Sequence, residues 1–288
     1  MKTDLKSAPP PVSLSAEHLA DPDYEFLRQL VYDHSRINLG HDKRALVSGR
    51  VAKRLRALKM RGYHEYCRWL RTAEGAVELS NLVDVISTNH TRFFREEKHF
   101  EWLESVLLPQ WRTAHPGRET FRSWSAAASS GEEPYTLAIV LAEFFGMDGD
   151  WTIEATDIST RVLESAGQAV YDAEKISPVP TELRRRYFQR GVGQWEGSYR
   201  VREQLRSRIR FQHLNLLDPD YPFRQRFHLI FCRNVMIYFD RPTQETLIGK
   251  LTEHLEPGGH LLVGHSESLS GIRHSLRQLQ PAIYLKPA

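Results

Sequence analysis

The stretch from Trp124 to Asp157 constrains the fold of this chain most strongly. Residues Phe121 to Ser125 have the character of a short buried strand, and Ile153 to Thr156 have that of a second one. Between them lie a run of small residues, Ala126 to Gly131, and a segment with apolar residues at helical spacing whose first turn contains Pro134. The pattern predicts a strand–loop–helix–strand unit with a carboxylate at the end of the second strand.

Asp157 is a candidate ligand-binding residue because of its spacing. It follows the small-residue loop by roughly 25 residues, the layout in which a carboxylate binds the two hydroxyls of a nucleotide ribose. The loop lacks the Gly-x-Gly-x-x-Gly pattern, which argues against a pyrophosphate-binding site. The stretch is equally compatible with an ordinary βαβ turn that binds no ligand, so spacing alone leaves both interpretations open.

The composition sets outer bounds on size and location. The chain has 288 residues, of which 41% are hydrophobic and 26% are charged, and its net charge is +3. These values are typical of a soluble globular protein with one large domain and a smaller one. No apolar run reaches the roughly 18 residues of a membrane span, and the N-terminus lacks the apolar core of a signal peptide. We therefore expect a cytoplasmic protein that does not insert into a membrane.

The cysteines and histidines bear on redox chemistry and on metals. Cys67 and Cys232 are far apart in the sequence and have apolar neighbours, so we predict two buried thiols in a reducing compartment. The thirteen histidines form no His-Glu-x-x-His or similar metal-binding spacing, so the sequence assigns no metal.

Changes of pattern along the chain predict four regions. Residues 1–17, which include three consecutive prolines, are expected to form a disordered tail. Residues 18–88 show helical periodicity and predict a small helical domain. Residues 89–120 are expected to hold a linker and a docking helix, and residues 121–288 an α/β domain.

The α/β region contains an interruption. Tyr171 to Pro180 has no regular pattern, and Thr181 to Tyr187 predicts a short basic helix. Phe188 to Glu203 combines three glycines with strand-like alternation, which is typical of an antiparallel hairpin. We therefore predict a small β-subdomain inserted at about residues 171–207.

The last third of the chain predicts further strands. Phe227 to Cys232 is a nearly continuous apolar run, typical of a buried parallel strand. Ligands bind beyond the carboxyl ends of such strands, so Arg233 and Asn234, which follow directly, are site candidates. We also expect a strand from Ile209 ending near Asn215, a helix capped by Thr243, a turn at residues 256–259 before a strand from His260 to Gly264, and two strands within residues 276–285.

One predicted helix, from Lys43 to Arg61, carries basic residues and no acidic ones. Val47, Val51 and Leu55 recur on its opposite face, which is typical of a helix packed on a core. Most charge runs are solvated faces, but a face of one sign repels itself unless an acidic partner approaches. We interpret it as a docking face for an acidic partner, with a solvated face and a nucleic-acid site as alternatives. The candidate docking residues are Arg50, Lys53, Arg54 and Arg56.

Several motifs together resemble one enzyme family. Residues Leu255 to Leu262 look like the late strand of S-adenosylmethionine-dependent methyltransferases. Four further motifs resemble the CheR family, the chemotaxis receptor protein-glutamate O-methyltransferases, and the resemblance covers about residues 20–285. They are Thr88-Asn-His-Thr-Arg-Phe-Phe-Arg95, Ser130-Gly-Glu-Glu-Pro-Tyr135, Ala155-Thr-Asp157 and Phe231-Cys-Arg-Asn-Val-Met-Ile-Tyr-Phe239, of which the last is the longest and most specific.

The resemblance implies an α/β fold, that of class I S-adenosylmethionine-dependent methyltransferases. This fold is Rossmann-like, with a seven-stranded mostly parallel sheet, an inserted small β-subdomain and a small all-α N-terminal domain. The implied activity methylates glutamate side chains of chemoreceptor cytoplasmic domains, giving glutamyl methyl esters and S-adenosylhomocysteine. Arg95 and Tyr238 are implied to face the methyl acceptor. The implied cofactor contacts are Asn89, Thr91, Arg95, Glu133 or alternatively Glu132, Asp157, Asn215, Leu216, Arg233 and Asn234.

The resemblance also implies how a receptor is bound. The basic helix would meet the acidic methylation helices of the receptor. In some family members the β-subdomain binds a peptide from the receptor C-terminus as an added strand. The full-length loop with Gly191, Gly193 and Gly197 favours that type here. No nucleic-acid partner is implied, and we expect a monomer.

The implied chemistry suits these residue types. A glutamate carboxylate has a reference pKa near 4.3 and is already a nucleophile at neutral pH, so the reaction requires neither a general base nor a metal. Orientation of the reacting groups can supply roughly 7–11 kcal/mol. Two other classes stay open: a nucleic-acid methyltransferase, which the strand ending in Cys232 to Val235 argues against, and a non-catalytic binding module, which the presence of Asp157 and Tyr238 argues against.

Overall fold

The computed structural model describes residues 18–117 and 119–288. The tail expected over residues 1–17 lies outside these described residues. The chain divides into two compact units, of which one ends at Ile86 and the other begins at Ser87. Across the described residues, none of the helices combines the length and the apolar character that crossing a bilayer requires.

The first unit consists of helices around one hydrophobic core. They are α1 (Asp21–Ser35), α2 (Arg44–Leu58), α3 (Tyr63–Leu70), α4 (Ala73–Ala76) and α5 (Leu79–Ile86), with a 3₁₀ turn at His41–Lys43. On α2, Val47, Val51 and Leu55 recur every four residues and are buried, as one face of a helix requires. They share a core with Leu27 of α1 and Leu82 of α5. The predicted all-α domain is confirmed.

The second unit contains a seven-stranded sheet. In spatial order its strands are β6 (Ile209–His213), β2 (Trp151–Asp157), β1 (Phe121–Ala126), β7 (Phe227–Cys232), β8 (Leu255–Val263), β10 (Ile283–Leu285) and β9 (Arg277–Gln280). The first five strands pair in parallel, and β10 pairs antiparallel with both β8 and β9. The mostly parallel sheet predicted from the sequence is confirmed.

Helices and two apolar clusters complete the second unit. Side chains alternate along β7, so that Leu229 and Phe231 belong to one cluster and Ile230 and Cys232 to the other. The helices are α6 (Lys98–Trp102) and α7 (Leu108–Ala114), joined by a π-helical segment at Leu103–Leu107, then α8 (Glu132–Phe145), α9 (Thr160–Gln168), α10 (Ala173–Ile176), α11 (Thr181–Tyr187), α12 (Glu203–Arg206) and α13 (Arg241–Glu253), with 3₁₀ turns at Gly193–Trp195 and Met236–Tyr238. Helix α8 contributes to the first cluster and α13 to the second, so both faces of the sheet are covered.

A second, three-stranded antiparallel sheet is inserted before β6. Its strands are β3 (Val170–Asp172), β4 (Phe188–Arg190) and β5 (Ser198–Val201), in the order β3-β5-β4. Tyr171 attaches it to the rest of the unit, because its hydroxyl donates to the Ser130 carbonyl at 2.8 Å and its ring meets that of Phe93 edge-on. The expected inserted β-subdomain is confirmed.

The large sheet has a topological switch point between β1 and β7. From β1 the chain continues to β2 on one side, whereas β7 pairs with β1 on the other side. Ala126 at the end of β1 lies opposite Cys232 at the end of β7. The segments that leave these strands therefore begin side by side, at the place where open α/β sheets bind ligands.

Two local predictions in the second unit are wrong. The segment from Tyr171 to Pro180 is not irregular but contains part of β3 and all of α10. Its strand forms because Tyr171 pairs with the distant Tyr199, which local pattern does not show. The second wrong prediction is the cap of α13, which is Asp240 and not Thr243. The Asp240 carboxylate accepts from the Thr243 N–H at 3.0 Å, and the helix ends at Glu253.

The separate turn expected at residues 256–259 is also absent, because β8 runs through it from Leu255. Backbone hydrogen bonds from the C-terminal strand hold this part of β8 extended. The Gly258 N–H donates to the Lys286 carbonyl at 2.9 Å, and the Lys286 N–H donates to the Gly259 carbonyl at 2.8 Å.

Buried histidines predict acid sensitivity. Burial lowers the pKa of His260 to about 4 and that of His228 to about 4, and burial together with the Arg233 charge lowers the pKa of His99 to about 3. The unfolded chain, in which a histidine pKa is near 6.5, therefore binds more protons below that pH. The contribution of these neutral histidines to the free energy of unfolding is fully present above pH 6.5 and should be lost as the pH falls towards 4.

The variant His260→Phe tests this expectation. It keeps an aromatic ring beside Trp102, which lies 5.3 Å away between ring centroids. It should reduce the loss of unfolding free energy between pH 7 and pH 4 by about 2–3 kcal/mol. Urea unfolding at a series of pH values measures this difference, and an acid dependence equal to that of wild type would contradict the assignment.

Candidate active site

The loop after β1 turns sharply through left-handed backbone conformations. Ala127, Ser129 and Gly131 have φ angles of 70°, 50° and 97°. Only glycine fits at position 131, because a Cβ there would lie 2.8 Å from the Tyr171 hydroxyl and 3.0 Å from the Ala166 Cβ. The loop therefore packs closely against Tyr171 of the inserted subdomain and against α9.

Ser129 in this loop joins two of the predicted site residues. Its N–H donates to the Asp157 carboxylate at 2.8 Å, and its hydroxyl donates to the Asn89 carbonyl at 3.0 Å. Asp157 also accepts from the Ser159 N–H at 2.9 Å and is 6% exposed. The structure thus places Asn89 and Asp157 on either side of one loop.

The end of β6 brings two more predicted residues to the same place. The Leu214 N–H donates to the Asp157 carbonyl at 3.0 Å, so the chain leaves β6 beside the end of β2. Asn215 follows in a tight turn in which its side-chain oxygen accepts from the Leu217 N–H at 3.1 Å. Leu216 is buried next to it.

Arg233 is a buried cation at the end of β7, with a side chain only 1% exposed. Its guanidinium donates to Glu96 at 3.1 and 3.3 Å, to Glu133 at 3.2 Å and to the Arg95 carbonyl. Glu96 accepts further bonds from the Asn234 side chain and the His265 N–H, both at 3.2 Å. One charge cluster therefore holds together the segment before α6, the start of α8 and the ends of β7 and β8.

The environment of the cluster shifts the pKa values of its two carboxyl groups, Glu96 and Glu133, in opposite directions. Burial opposes ionisation of Glu96, but the Arg233 charge and the surrounding N–H donors outweigh it and lower its pKa. For Glu133, burial dominates and raises the pKa, although Arg233 and the Ser125 hydroxyl, 2.7 Å away, favour the ionised form. His99 beside them has a pKa of about 3 because of burial and the Arg233 charge, so it is neutral.

Glu96, His99 and His265 offer ligand atoms within 4.8 Å of one another, a set of a kind that can hold a metal ion. The Glu96 oxygens, however, already accept bonds from Arg233, Asn234 and the His265 backbone. The Arg233 charge beside them also opposes a second cation. We therefore regard the group as part of the charge cluster and assign no metal to it.

The side chains of Arg95 and Tyr238 converge on one short segment. Arg95 donates to the His90 carbonyl at 2.7 Å, and the Tyr238 hydroxyl lies 3.5 Å from the Thr88 carbonyl. Asn89 lies between these two carbonyls in the sequence, and Thr91 follows them. Arg95 and Tyr238 are both partly exposed, so each can contact a bound molecule.

The structure separates the two adjacent glutamates at the start of α8. Glu133 lies in the charge cluster at the carboxyl edge of the sheet. Glu132 is fully buried and points towards the inserted subdomain, where it pairs with Lys175 at 3.1 Å and accepts from the Ser130 hydroxyl at 2.7 Å. Of the two candidates, only Glu133 lies with the other predicted site residues.

The sequence analysis did not identify two residues of this region, Glu96 and Glu267. Glu96 follows the Thr88–Arg95 motif directly. Glu267 lies shortly after β8 and accepts four backbone N–H groups, three from the loop after β7 and one from Gly264. The rule that singled out Arg233, polar residues after a buried strand, points to Glu267 when it is applied to β8. Nothing in local pattern connects Glu96 with Arg233, because the two lie far apart in the sequence.

The predicted docking residues of α2 differ in their exposure. Arg54 forms a two-point ion pair with the buried Glu78, with one N–O distance of 2.6 Å. Arg50 donates to the Ile86 carbonyl. Lys53 and Arg56 are exposed. The charge that α2 presents to solvent therefore comes chiefly from Lys53 and Arg56, while Arg54 contributes to the packing of its own unit.

The three predicted docking glycines shape the loop between β4 and β5. Gly193 and Gly197 have φ angles of 60° and 83°. A Cβ at Gly191 would lie 2.1 Å from the Trp195 carbonyl oxygen. The loop leaves Val192 and Trp195 largely exposed. Elsewhere, Cys67 and Cys232 are both buried and free, as predicted.

A mostly parallel seven-stranded sheet with polar groups gathered at its switch point, including a carboxylate at the end of β2, is an open α/β fold with a ligand site there, and it fits the class I S-adenosylmethionine-dependent methyltransferase fold that the sequence motifs imply. The comparisons with protein families agree with this class. Residues 89–285 match the model described as CheR methyltransferase, SAM binding domain, and residues 22–87 match CheR methyltransferase, all-alpha domain. The chain belongs to the CheR methyltransferase family, and its cofactor is S-adenosylmethionine.

Curated relatives are similar over most of their length. The chain is 40% identical over 255 residues to a chemotaxis protein methyltransferase of Salmonella typhimurium, covering 88% of this chain and 86% of the relative. It is 39% identical over 280 residues to chemotaxis protein methyltransferase 2 of Pseudomonas aeruginosa, covering 96% and 98%. It is 38% identical over 265 residues to a chemotaxis protein methyltransferase of Borreliella burgdorferi, covering 90% and 92%.

The polar groups at the switch point fit this cofactor. The Asn89 side-chain nitrogen is buried and has no hydrogen-bond partner among the residues that the structure describes, so it is a donor that a polar ligand would satisfy. The Asp157 carboxylate accepts the Ser129 N–H on one oxygen and the Ser159 N–H on the other, and a carboxylate oxygen is the type of acceptor that a ribose hydroxyl needs.

Removal of the buried cation should destabilise the second unit. In Arg233→Met, Glu96 and Glu133 lose their common partner, and an unpaired buried charge costs about 3–5 kcal/mol. Urea unfolding at pH 7 measures this loss. The matched control is Arg210→Met, because Arg210 is exposed and lies 3.7 Å from Glu154, so it should cost under about 1 kcal/mol. Equal effects of the two substitutions would contradict the role of the cluster.

Proposed function

We propose that this protein transfers the methyl group of S-adenosylmethionine to glutamate side chains in the cytoplasmic domain of a chemoreceptor. The products are glutamyl methyl esters and S-adenosylhomocysteine. The observation that carries the proposal is the convergence of Arg95 and Tyr238 on the Thr88–His90 segment, beside the cofactor crevice. A cation and a phenol placed together suit a carboxylate acceptor. We further propose that the protein acts in the cytoplasm as a monomer.

The residues of the crevice bind and orient the two substrates. Asp157 would hold the ribose hydroxyls, and Asn89, Thr91, Asn215 and Leu216 would line the nucleoside. Glu133, which is held by Arg233, would bind the charged amino-acid end of the cofactor. The Arg233 and Asn234 backbone lines the crevice, because the Arg233 side chain is taken up by the charge cluster.

When bound, S-adenosylmethionine supplies an electrophilic methyl group on a sulfonium. The acceptor glutamate is ionised at neutral pH, so no residue of the protein has to remove a proton from it. Arg95 orients the carboxylate through its planar guanidinium. Tyr238 positions the acceptor with its ring and with a hydrogen bond from its hydroxyl, and it helps to exclude water. The protein therefore contributes mainly alignment.

A direct test is methyl transfer from labelled cofactor to purified receptor domains. Receptor label that mild base releases as methanol supports a glutamyl ester. A receptor in which the labelled glutamates are replaced by alanine is the control and should accept no label. Base-stable label on nucleic acid would instead favour the alternative nucleic-acid methyltransferase, and cofactor binding without transfer to any acceptor would favour the non-catalytic module.

Asp157→Asn should weaken cofactor binding. The substitution replaces one carboxylate oxygen by an amide donor and should cost roughly 1–3 kcal/mol of binding free energy, or about 5- to 150-fold in Kd. Calorimetry with S-adenosylhomocysteine measures it. Glu154→Gln is a matched control on the same strand, because Glu154 pairs with Arg210 and Gln212 on the sheet surface and should leave Kd unchanged. An unchanged affinity of Asp157→Asn would remove this residue from the site.

The exposed charges of α2 are proposed to bind the acidic face of the receptor. Lys53→Glu combined with Arg56→Glu should raise the receptor KM at least tenfold and leave the cofactor Kd unchanged. The wild-type KM should rise with salt, because exposed charges are screened over about 8 Å at physiological ionic strength. Arg273→Glu with Arg277→Glu reverses two exposed charges elsewhere and is the control. Equal KM values for both double variants would make the α2 face a solvated surface.

The receptor C-terminal tail is proposed to bind beside β4. This strand is an edge of the three-stranded sheet, so an extended peptide can add to it. A pocket of about 430 Å³ lies next to it. Its arginines and the absence of acids from its lining favour an acidic peptide. The lining residues are Thr181, Arg184, Arg185, Phe188, Gln189, Arg190, Tyr199 and Arg202.

Two arginines of this pocket allow a sharp test. The Nε atoms of Arg184 and Arg202 are buried and have no hydrogen-bond partner among the described residues. Arg184→Gln with Arg202→Gln should weaken binding of an acidic receptor-tail peptide at least tenfold by calorimetry. The methylation rate of a tail-less receptor should not change. Arg210→Gln, outside the pocket, is the control. Peptide affinity equal to wild type would exclude this pocket as the tail site.

A further inference from the structure

Glu267 is a buried carboxylate that accepts hydrogen bonds from four backbone N–H groups of two segments near the active site. It is 6% exposed. One oxygen accepts from the Asn234 N–H at 2.7 Å and the Gly264 N–H at 2.6 Å. The other accepts from the Met236 N–H at 2.8 Å and the Ile237 N–H at 3.3 Å. A single side chain after β8 therefore binds most of the loop that leads from β7 to Tyr238.

These bonds satisfy backbone donors that the loop cannot satisfy by itself. Met236–Tyr238 forms a 3₁₀ turn, and the first N–H groups of such a turn have no partner within it. The residue that precedes the turn, Val235, offers no side-chain acceptor. Glu267 takes the capping role from outside the turn, because its two oxygens accept these N–H groups. Burial raises the pKa of the Glu267 carboxyl, and the four N–H donors act against that rise by favouring the ionised form.

The surrounding residues leave this arrangement little freedom. Asn234 has a φ angle of 58°, a left-handed conformation that must be held in place. At Gly264, a Cβ would lie 2.4 Å from the Asn234 side-chain nitrogen and 2.7 Å from a Glu267 oxygen. The loop and the end of β8 are therefore fitted to each other around the Glu267 carboxylate.

We propose that Glu267 is a positioning residue, which sets the Met236–Tyr238 turn so that the Tyr238 hydroxyl is placed for methyl transfer. A carboxylate accepts hydrogen bonds with both oxygens, whereas a glutamine presents one NH₂ group. In Glu267→Gln two backbone N–H groups would face a donor, and the turn would have to move. The proposal rests on the proposed function for its kinetic readout, because Tyr238 acts there on the acceptor.

The first measurement separates kcat from KM. Glu267→Gln should lower kcat for receptor methylation 10- to 100-fold, with receptor KM and cofactor Kd within about threefold of wild type. Glu256→Gln, near the opposite end of β8, is the matched control, because Glu256 binds the partly exposed Arg122 side chain and should leave kcat unchanged. Equal kcat values for wild type and Glu267→Gln would overturn the proposal.

A double-mutant cycle tests whether Glu267 acts through Tyr238. In a Tyr238→Phe background, the kcat loss caused by Glu267→Gln should shrink at least threefold. Fully additive losses would mean that Glu267 affects stability or another group, and the proposal would be wrong. If Glu267→Gln does not fold, Glu267→Asp replaces it in the cycle. Aspartate keeps the charge but is too short to reach all four N–H groups.

Hydrogen exchange gives a readout that does not depend on the receptor. The amides of Met236 and Ile237 should exchange at least tenfold faster in Glu267→Gln than in wild type or in Glu256→Gln. Unchanged exchange would refute the positioning role even if no receptor is methylated. A wild-type enzyme that methylates no receptor would refute the proposed function alone, so the two failures can be told apart.

Discussion

The rest of this site depends on the pairing of the buried Arg233 guanidinium with two carboxylates. A buried charge is tolerated only when it is paired, so Arg233 at the end of β7 requires the carboxylates of Glu96 and Glu133 beside it. Those two residues come from separate segments of the chain, and the Arg95 carbonyl joins the same guanidinium. The requirement that this charge be satisfied therefore fixes the backbone on both sides of the crevice.

Much of the fold follows from the sequence, because its signals are local. The apolar runs of β1, β2 and β7 and the helical spacing of α2 are visible within a few residues, and the rule on strand carboxyl ends then indicates Asp157, Arg233 and Asn234. What the sequence did not show depends on contacts between distant residues. Three such contacts are the ion pairs of Arg233, the pairing of β3 with β5 and the ion pair of Arg54 with Glu78. None of them produces a periodic pattern in the sequence.

The site is arranged to hold groups in place. Arg233 and its carboxylates satisfy one another, Asp157 shapes the loop after β1, and Glu267 caps the turn that carries Tyr238. Under the proposed function the acceptor arrives already ionised, and alignment is the main contribution that such a rigid frame can make. The central claim is therefore that Tyr238 positions the reacting groups and does not remove a proton.

The most direct test is the pH dependence of a single turnover with saturating cofactor and receptor domain, compared between wild type and Tyr238→Phe. If Tyr238 only positions groups, both rates should rise as the acceptor carboxylate ionises, with a reference pKa near 4.3, and then stay level into the alkaline range. Tyr238→Phe should lower the plateau 10- to 100-fold without changing the shape of the profile. An additional alkaline rise in wild type that disappears in Tyr238→Phe would show that Tyr238 acts as a base, and it would contradict the account.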